Sequence, residues 1–284
     1  GHWHKGSLRL AVRAKAPILP IHVHGRNSLS FYTASMLAKP LSTLMLIGEM
    51  FHQRRQPLKL TIGGLIPYSA YAGLKIREKD KIDLFRKHLY RIGAGKKGIL
   101  PTETAIARPE RRIVLKRNVQ GGELLGRTPD GKAIYLFAGE ESTPVLREIA
   151  RLREITFRAV GEGSGKRRDL DGFDRYYRHL VLWSDEDLEI VGAYRLADSA
   201  AVVRDRGCEG LYSHSLFRFQ ETDFPYIGQG LELGRSFVQQ KYWGKRSLDY
   251  LWYGIGAFLR RNPHYRYLYG PVSISNAMPQ MAKE

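Results

Sequence analysis

The sequence predicts two domains of different class, an α/β domain followed by an α+β domain. Three observations carry this. Residues 1–95 read as strand, helix, strand, helix, the order of an α/β unit. Residues 142–284 read as a helix, several antiparallel-looking strands, a donor-rich loop, a helix and a closing strand, which is an α+β order. Between them, residues 96–141 are rich in Gly, Pro and charge, and read as a linker holding a short hairpin. With 284 residues, 43% of them hydrophobic, the chain is long enough for two cores and too apolar for wholesale disorder.

The elements follow in order. Residues 6–16 suit a short helix with basic residues on one side. The apolar run from Pro17 to Val23 reads as a buried parallel strand punctuated by prolines. A helix-prone segment runs from Phe31 to about Met50 and breaks near Pro40. Leu58 to Gly63 alternates as a strand, and Ile82, Phe85, Leu89 and Ile92 mark a helix over Lys81–Ile92. In the linker, Pro129-Asp130-Gly131 is a turn joining Glu123–Gly126 to Lys132–Phe137.

The second domain opens with a helix from Pro144 to Arg158, with Leu146, Ile149, Leu152 and Phe157 on its apolar side. A polar segment, Gly161–Asp174, leads to strands at His179–Trp183, Glu189–Leu196 and Gly210–Phe217. Leu231–Val238 is a further strand. After a loop comes a helix from Ser247 to about Arg260, on which Leu248, Leu251, Trp252, Ile255 and Leu259 recur at helical spacing. Tyr265–Ser273 closes as a strand.

The net charge of +18 is unevenly placed. Residues 1–100 hold 18 Lys and Arg against 4 Asp and Glu, whereas residues 151–284 hold 20 against 17. A field of this sign favours anionic partners: a phospholipid surface or an acidic carrier protein. No nucleic-acid module is recognisable, so nucleic acid is not expected as a partner. One cysteine, Cys208, excludes an internal disulfide and fits a reducing compartment. No run of about 18 apolar residues is present. His2, His4, His22 and His24 lack a third and fourth ligand, so no metal centre is expected. The chain begins with Gly and is read as a fragment, truncated at both ends.

The stretch from Gly230 to Arg260 carries the clearest chemical signal. A strand feeds a loop, Gln239 to Arg246, and the loop faces the N-terminus of the last helix, with Ser247 as its expected N-cap. Such a terminus has unpaired N–H groups and partial positive charge and accepts an anion. Lys245 and Arg246 add full charges. An ordinary crossover with a solvated basic loop fits the residue types equally well.

A family resemblance enters on a set of short pieces in order. These are Leu152-Arg153-Glu154-Ile155-Thr156-Phe157-Arg158, Arg168-Asp169-Leu170-Asp171-Gly172-Phe173-Asp174, His179-Leu180, Val191-Gly192-Ala193-Tyr194-Arg195-Leu196 and Glu232-Leu233-Gly234-Arg235-Ser236. Together they resemble the hemolysin-type branch of the GNAT superfamily, which includes bacterial ornithine-lipid N-acyltransferases. More distantly they are similar to acyl-homoserine-lactone synthases. In the first half, Lys5-Gly6, Ala16-Pro17-Ile18-Leu19-Pro20-Ile21 and Leu60-Thr61-Ile62-Gly63-Gly64-Leu65-Ile66-Pro67 resemble the C-terminal part of a 1-acyl-glycerol-3-phosphate type O-acyltransferase. That family's catalytic His and Asp, and its phosphate-gripping segment, would lie upstream of Gly1, so this half is expected to be catalytically incomplete. The implied fold is a truncated glycerolipid-acyltransferase-like α/β domain followed by a GNAT-like mixed sheet with flanking helices.

The resemblance implies an acyltransferase of lipid biosynthesis, moving a fatty acyl group from a thioester to an amine such as ornithine. No tightly bound cofactor is implied. The donor is acyl carrier protein, through its phosphopantetheine thioester, or acyl-coenzyme A. The implied location is cytoplasmic, peripheral on the inner face of a bacterial membrane. Amide formation needs a neutral amine and a stabilised oxyanion. The resemblance places a Glu-x-x-Arg pair on Glu232 and Arg235 as the catalytic residues. Glu232 could take the amine's proton, grip a cationic amine, or merely pair with Arg235. Arg153, Asp169, Asp171 and Arg195 fall on polar positions that line the substrate cleft in the relatives; Asp169 and Asp171 could equally be solvated or make turn contacts.

Donor binding is assigned to Val238, Gln240, Gly244, Lys245, Arg246 and Ser247. This loop has one glycine and two large cations where the usual GNAT loop has small residues. A single phosphate on an acidic carrier therefore suits it better than a pyrophosphate. Phe157, Tyr194 and Phe217 are read as core or tunnel lining. Two other functions compete: a non-catalytic membrane-surface or carrier-binding module, and a lactone-type signal synthase.

Overall fold

The computed structural model describes residues 3–25, 28–37, 45–48, 51, 57–139 and 143–272. The chain divides into two units, Gly1–Ala105 and Ile106–Glu284. The first contains α1 (Gly6–Arg13), β1 (Ile21–His24), α2 (Leu29–Leu37), β2 (Lys59–Ile62), α3 (Ser69–Ala72) and α4 (Glu78–Gly93). Glu78 and Asp80 stand in the first turn of α4, where carboxylates complement the helix dipole. Leu8, Ile66, Tyr71, Ile82 and Leu100 form the core of this unit. His88 is buried, and its Nδ1 accepts hydrogen bonds from the Ile99 and Leu100 amides at 3.0 Å each, which fastens the loop after α4.

One expectation for this unit needs correction. β1 pairs antiparallel with β2, in the register Ile21↔Ile62 and Val23↔Leu60, and is not a buried parallel strand. Its Ile-His-Val-His alternation puts Ile21 and Val23 on an exposed face. The histidines occupy the other face, where His22 meets the Tyr90 ring of α4. The break expected near Pro40 lies outside the described residues.

The second unit contains α5 (Arg112–Val119), β3 (Glu123–Arg127), β4 (Ala133–Phe137), α6 (Pro144–Ala159), β5 (Arg178–Ser184), β6 (Glu189–Asp198), α7 (Ser199–Arg206), α8 (Phe224–Ile227), β7 (Gly230–Val238), α9 (Ser247–Arg261) and β8 (Tyr267–Tyr269). The strands form one mixed sheet in the order β3-β4-β5-β6-β7-β8. Every neighbouring pair is antiparallel except β7 and β8, which are parallel. The hairpin expected in a linker is therefore the outer pair of this sheet. The division between units falls at residues 105/106, not across residues 96–141.

Strand alternation sends successive side chains to opposite faces, and helices cover both. Leu180, Leu182, Val191 and Leu196 pack with Leu251, Ile255 and Phe258 of α9. Val181, Trp183, Ala193 and Phe237 pack with Leu115 and Val119 of α5 and with Val145, Ile149 and Leu152 of α6. Each fully buried large apolar side chain contributes about 1.5–3 kcal/mol. Thr143 caps α6 by accepting from the Leu146 amide at 3.2 Å, and Pro144 occupies the first turn, where no N–H is needed.

The strand expected at Gly210–Phe217 is absent. That segment forms two short 3-10 turns, Cys208–Gly210 and Ser213–Ser215, held by side-chain acceptors rather than by a strand ladder.

Candidate functional site

The site is built around one irregular strand. β7 pairs with β8 only over Gly230–Glu232. β8 comes close there because Gly270 has no side chain: a Cβ at that position would stand 1.9 Å from the Leu233 carbonyl oxygen. Beyond this contact the ladder ends, and a cavity of about 970 Å³ opens between Leu233–Ser236 on one side and Leu268–Val272 on the other.

On its opposite edge, β7 pairs with β6 through Arg195↔Gly234 and Ala193↔Phe237. Arg235 and Ser236 thus stand opposite Tyr194 alone, which is a β-bulge. Arg235 occupies the left-handed region at φ 49°, a cost of order 1–3 kcal/mol for a side chain of this size. The bulge turns Arg235 and Ser236 to the cavity, together with Tyr194.

The remaining walls are apolar and aromatic. Phe157, Tyr194 and Phe217, expected as core or tunnel lining, all line the cavity, as do Tyr212, Leu216 and Trp252. Among the described lining residues, Arg235 is the one cation and Glu162 the one carboxylate. Arg235 lies 5.2 Å from the Tyr212 ring centroid and 5.9 Å from that of Phe157. Tyr269 donates a 2.8 Å hydrogen bond to Ser199, and burial pushes its phenol up to about 12.

Behind Arg235 lies a buried charge network. Arg153 contacts Asp169 at 2.9 Å and Asp174 at 2.7 Å. Arg195 contacts Asp171 at 2.6 Å and Asp174 at 3.1 Å. Arg235 reaches Asp169 at 3.4 Å and Asp171 at 3.6 Å, closing the set. Asp171 and Asp174 also form a reciprocal capping box on the turn Gly172–Arg175. The Arg195 guanidinium is ringed by Phe173, Tyr177 and Tyr212 at 5.1–5.6 Å. Burial works to raise the Asp174 pKa, but its hydrogen bond with Arg153 and the nearby guanidiniums outweigh it, so the carboxyl falls well below the usual range.

The four residues assigned to substrate are thus brought together, yet Arg153, Asp169 and Arg195 are buried in ion pairs. Not all of their hydrogen-bonding capacity is used: Arg195 Nε and Nη2 and Asp171 Oδ2 are buried without a hydrogen-bond partner among the described residues. The four hold the Gly172–Arg175 turn, β6 and the bulge in register, and only Asp171 keeps partial exposure.

Of the readings open for Glu232, pairing with Arg235 is the one that the structure does not show. Glu232 is 1% exposed. One carboxylate oxygen accepts from the Ser213 amide at 2.6 Å and from the Ser213 hydroxyl. The other accepts from the Tyr212 amide at 3.2 Å and from the Tyr177 hydroxyl. Four neutral donors use up its lone pairs. Glu232 is an anchor for the Leu211–Ser213 turn, which carries Tyr212 to the cavity wall.

The expected donor residues form one loop. Val238 ends β7, and its carbonyl accepts from the Trp243 indole at 2.7 Å. Gln240 opens a 3-10 turn, and Gly244 takes φ 72°, which suits glycine. Lys245 lies over the Tyr242 ring at 5.4 Å, and Arg246 donates to the Tyr253 hydroxyl at 2.8 Å. The N-cap of α9 is Arg246, without a side-chain cap bond; Ser247 is the first helical residue and is buried. Asp249 in the first turn already offers a carboxylate to that terminus. None of the six lines the cavity.

Sequence reasoning passed over Asp174, Tyr177 and Ser213. The spacing Asp171-Gly-Phe-Asp174 was a usable capping signal for the first. The other two are joined to Glu232 only by the tertiary fold.

Comparison with known proteins gives the following. Residues 152–253 match the family described as Acetyltransferase (GNAT) domain. The chain is 35% identical over 182 residues to a glycine N(alpha)-acyltransferase of Bacteroides thetaiotaomicron, covering 60% of this chain and 54% of that protein. It is 32% identical over 168 residues to an L-ornithine N(alpha)-acyltransferase of Brucella abortus, covering 56% and 55%. It is also 32% identical over 75 residues to a lyso-glycine lipid O-acyltransferase of Bacteroides thetaiotaomicron, covering 24% and 28%. The chain spans about half the length of the N-acyltransferases it matches. No solved structure matches it. Among the described residues no helix is long and apolar enough to cross a membrane.

Proposed function

We propose that the second unit is an N-acyltransferase that moves an acyl group from a thioester to the α-amine of an amino acid, in the wedge where β7 leaves β8. The observation that carries this is the bulge at Arg235 and Ser236, which sets a guanidinium in the wall of a cavity whose other described lining is mainly apolar and aromatic, with Glu162 its one carboxylate, inside the segment matching the GNAT family. An apolar wall suits an acyl chain, and a guanidinium suits the carboxylate of an amino acid. The matches to glycine and ornithine N-acyltransferases support an amino-acid acceptor.

The outer edge of β7 beyond Glu232 has no strand partner among the described residues, so its backbone groups are open to an extended amide-bearing arm laid alongside as a further strand. Phosphopantetheine is such an arm. The loop Gln239–Arg246 and the start of α9, which has no side-chain cap, follow β7 directly and would receive its phosphate. With one glycine and large cations in that loop, we favour acyl carrier protein over acyl-coenzyme A. The similarity to a lyso-glycine lipid O-acyltransferase supports reading the first unit as part of an O-acyltransferase that would take the resulting lysolipid at a membrane surface.

The test supplies the purified chain with acyl-carrier and acyl-coenzyme A thioesters of one acyl group, together with glycine or ornithine. Mass spectrometry should find the N-acyl amino acid, formed faster from the carrier. Equal rates would remove the carrier preference, and thiol release without amide would overturn the function.

A further inference from the structure

Sealing of Glu232 leaves the chemistry without a proton acceptor. An amino-acid amine is an ammonium near neutral pH, and it cannot attack a carbonyl until it loses a proton. We infer that Glu162 is the group that receives it. This rests on the acyl-transfer reading and assigns a catalytic residue to that site.

Glu162 is the one carboxylate among the described residues lining the cavity, which Arg235 also lines. Its position is built. Helix α6 ends at Ala159, and Gly161 turns the chain at φ 82°, a conformation that favours glycine. The Glu162 amide then donates to the Phe157 carbonyl at 2.8 Å, so the backbone is fixed while the side chain stays exposed.

The following residues are clamped from below by Glu154, which is fully buried. It accepts from the Ser164 amide at 3.0 Å, the Ser164 hydroxyl at 2.6 Å and the Gly165 amide at 2.9 Å. Arg158 spans Glu154 and the Lys166 carbonyl at 2.6 Å each. The arrangement spends one buried carboxylate on ordering a loop whose exposed carboxylate faces the cavity.

The two charges match an amino-acid zwitterion, with Arg235 on its carboxylate and Glu162 on its ammonium. Glu162 takes one proton from the ammonium. The freed lone pair attacks the thioester carbonyl carbon, forming the C–N bond and pushing charge to oxygen. Collapse breaks the C–S bond. The departing thiolate takes the second proton from nitrogen, leaving a neutral amide and a free thiol. Glu162 returns its proton to water.

The other charged and titratable groups around Glu162 include Arg158 on α6, which packs against Gly163, Lys166 in the same loop, Arg235 on β7, Tyr194 on β6, Tyr212 and Tyr269. The Glu154 carboxylate lies beneath the same loop, but it is fully buried and held by Ser164, Gly165 and Arg158, so it does not line the cavity.

The experiment compares kcat/KM for the amino acid in wild type, E162Q and E162D between pH 6.5 and 9.5. Circular dichroism checks folding, which an exposed substitution leaves intact. E162Q should lose about 10²–10⁴-fold near pH 7, a deficit that narrows as solvent deprotonates the amine, and E162D should recover part of it. An active wild type whose E162Q variant keeps the same rates and pH profile overturns the role of Glu162 alone. A wild type inert with every thioester and amino acid overturns the function as well.

Discussion

Glu232→Gln separates an anchoring carboxylate from a catalytic one. Gln is isosteric but offers one acceptor oxygen and one NH₂ donor. Its oxygen belongs on the Ser213 side, because the Ser213 amide can only donate. Its NH₂ then faces Tyr177, whose hydroxyl can turn to accept and is already 2.8 Å from the Tyr212 amide. The network therefore stays satisfied except for the Tyr212 contact to Glu232, and the two Ser213 bonds become neutral. Hydrogen bonds to charged groups contribute about 1.5–3 kcal/mol against about 0.5–1.5 for neutral ones. Removing a buried charge offsets part of the difference. The expected loss is about 1–3 kcal/mol, read as a Tm fall of a few to about 10 °C for a unit of this size. The assay pairs thermal unfolding with the pH profile of acyl transfer. A lowered Tm with the profile unchanged fits an anchor. Wild-type stability with transfer abolished and its pH dependence flattened would refute the reasoning and restore Glu232 as the base.

Three further outcomes are expected. Asp174→Asn removes the carboxylate shared by Arg153 and Arg195 and should cost about 3–5 kcal/mol, seen as a lower denaturant midpoint; an unchanged midpoint would mean that the network carries no stability. Burial lowers the His179 pKa to about 4 from 6.5, so the unfolded chain binds the extra proton first. Stability is whole above pH 6.5 and falls as pH drops toward 4, by about 3 kcal/mol at the lower end, and a His179→Gln variant should flatten that slope in chemical denaturation. Gly270→Ala forces a Cβ onto the Leu233 carbonyl, pushing β8 from β7; a loss of about 1–3 kcal/mol with reduced transfer is expected, and wild-type behaviour would deny that the close approach shapes the wedge.

The second unit's elements were legible wherever side-chain period and burial agreed. α6 was readable from Leu146, Ile149 and Leu152, β5 and β6 from dense apolar strands, and α9 from Leu251 and Ile255. The first unit's β1 misled because Ile21 and Val23 made a short apolar run whose alternation with His22 and His24 signalled a half-exposed strand. α5 was missed because Leu115 and Val119 alone carry its buried side among three Arg and Lys residues.

At the site, Arg153, Asp169, Asp171, Arg195 and Arg235 come together in one charge network, but the sequence did not reveal which of them would be buried. Whether a carboxylate meets solvent or four donors depends on which turn folds over it. Glu232 and Glu162 carry the same group, one sealed by Ser213 and Tyr212, the other left exposed by the turn at Gly161. The bulge at Arg235 was equally invisible, because it is defined by register against Tyr194.

The most direct test of the site is acceptor selectivity in Arg235→Ala. Steady-state transfer to glycine is compared with transfer to methylamine, the same amine without a carboxylate. The wild type should favour glycine, and Arg235→Ala should lose about 10–100-fold of that preference, the worth of one charge-assisted contact, while methylamine turnover changes little. An undiminished preference for glycine in the variant would contradict placing the acceptor against Arg235 in the β7–β8 wedge.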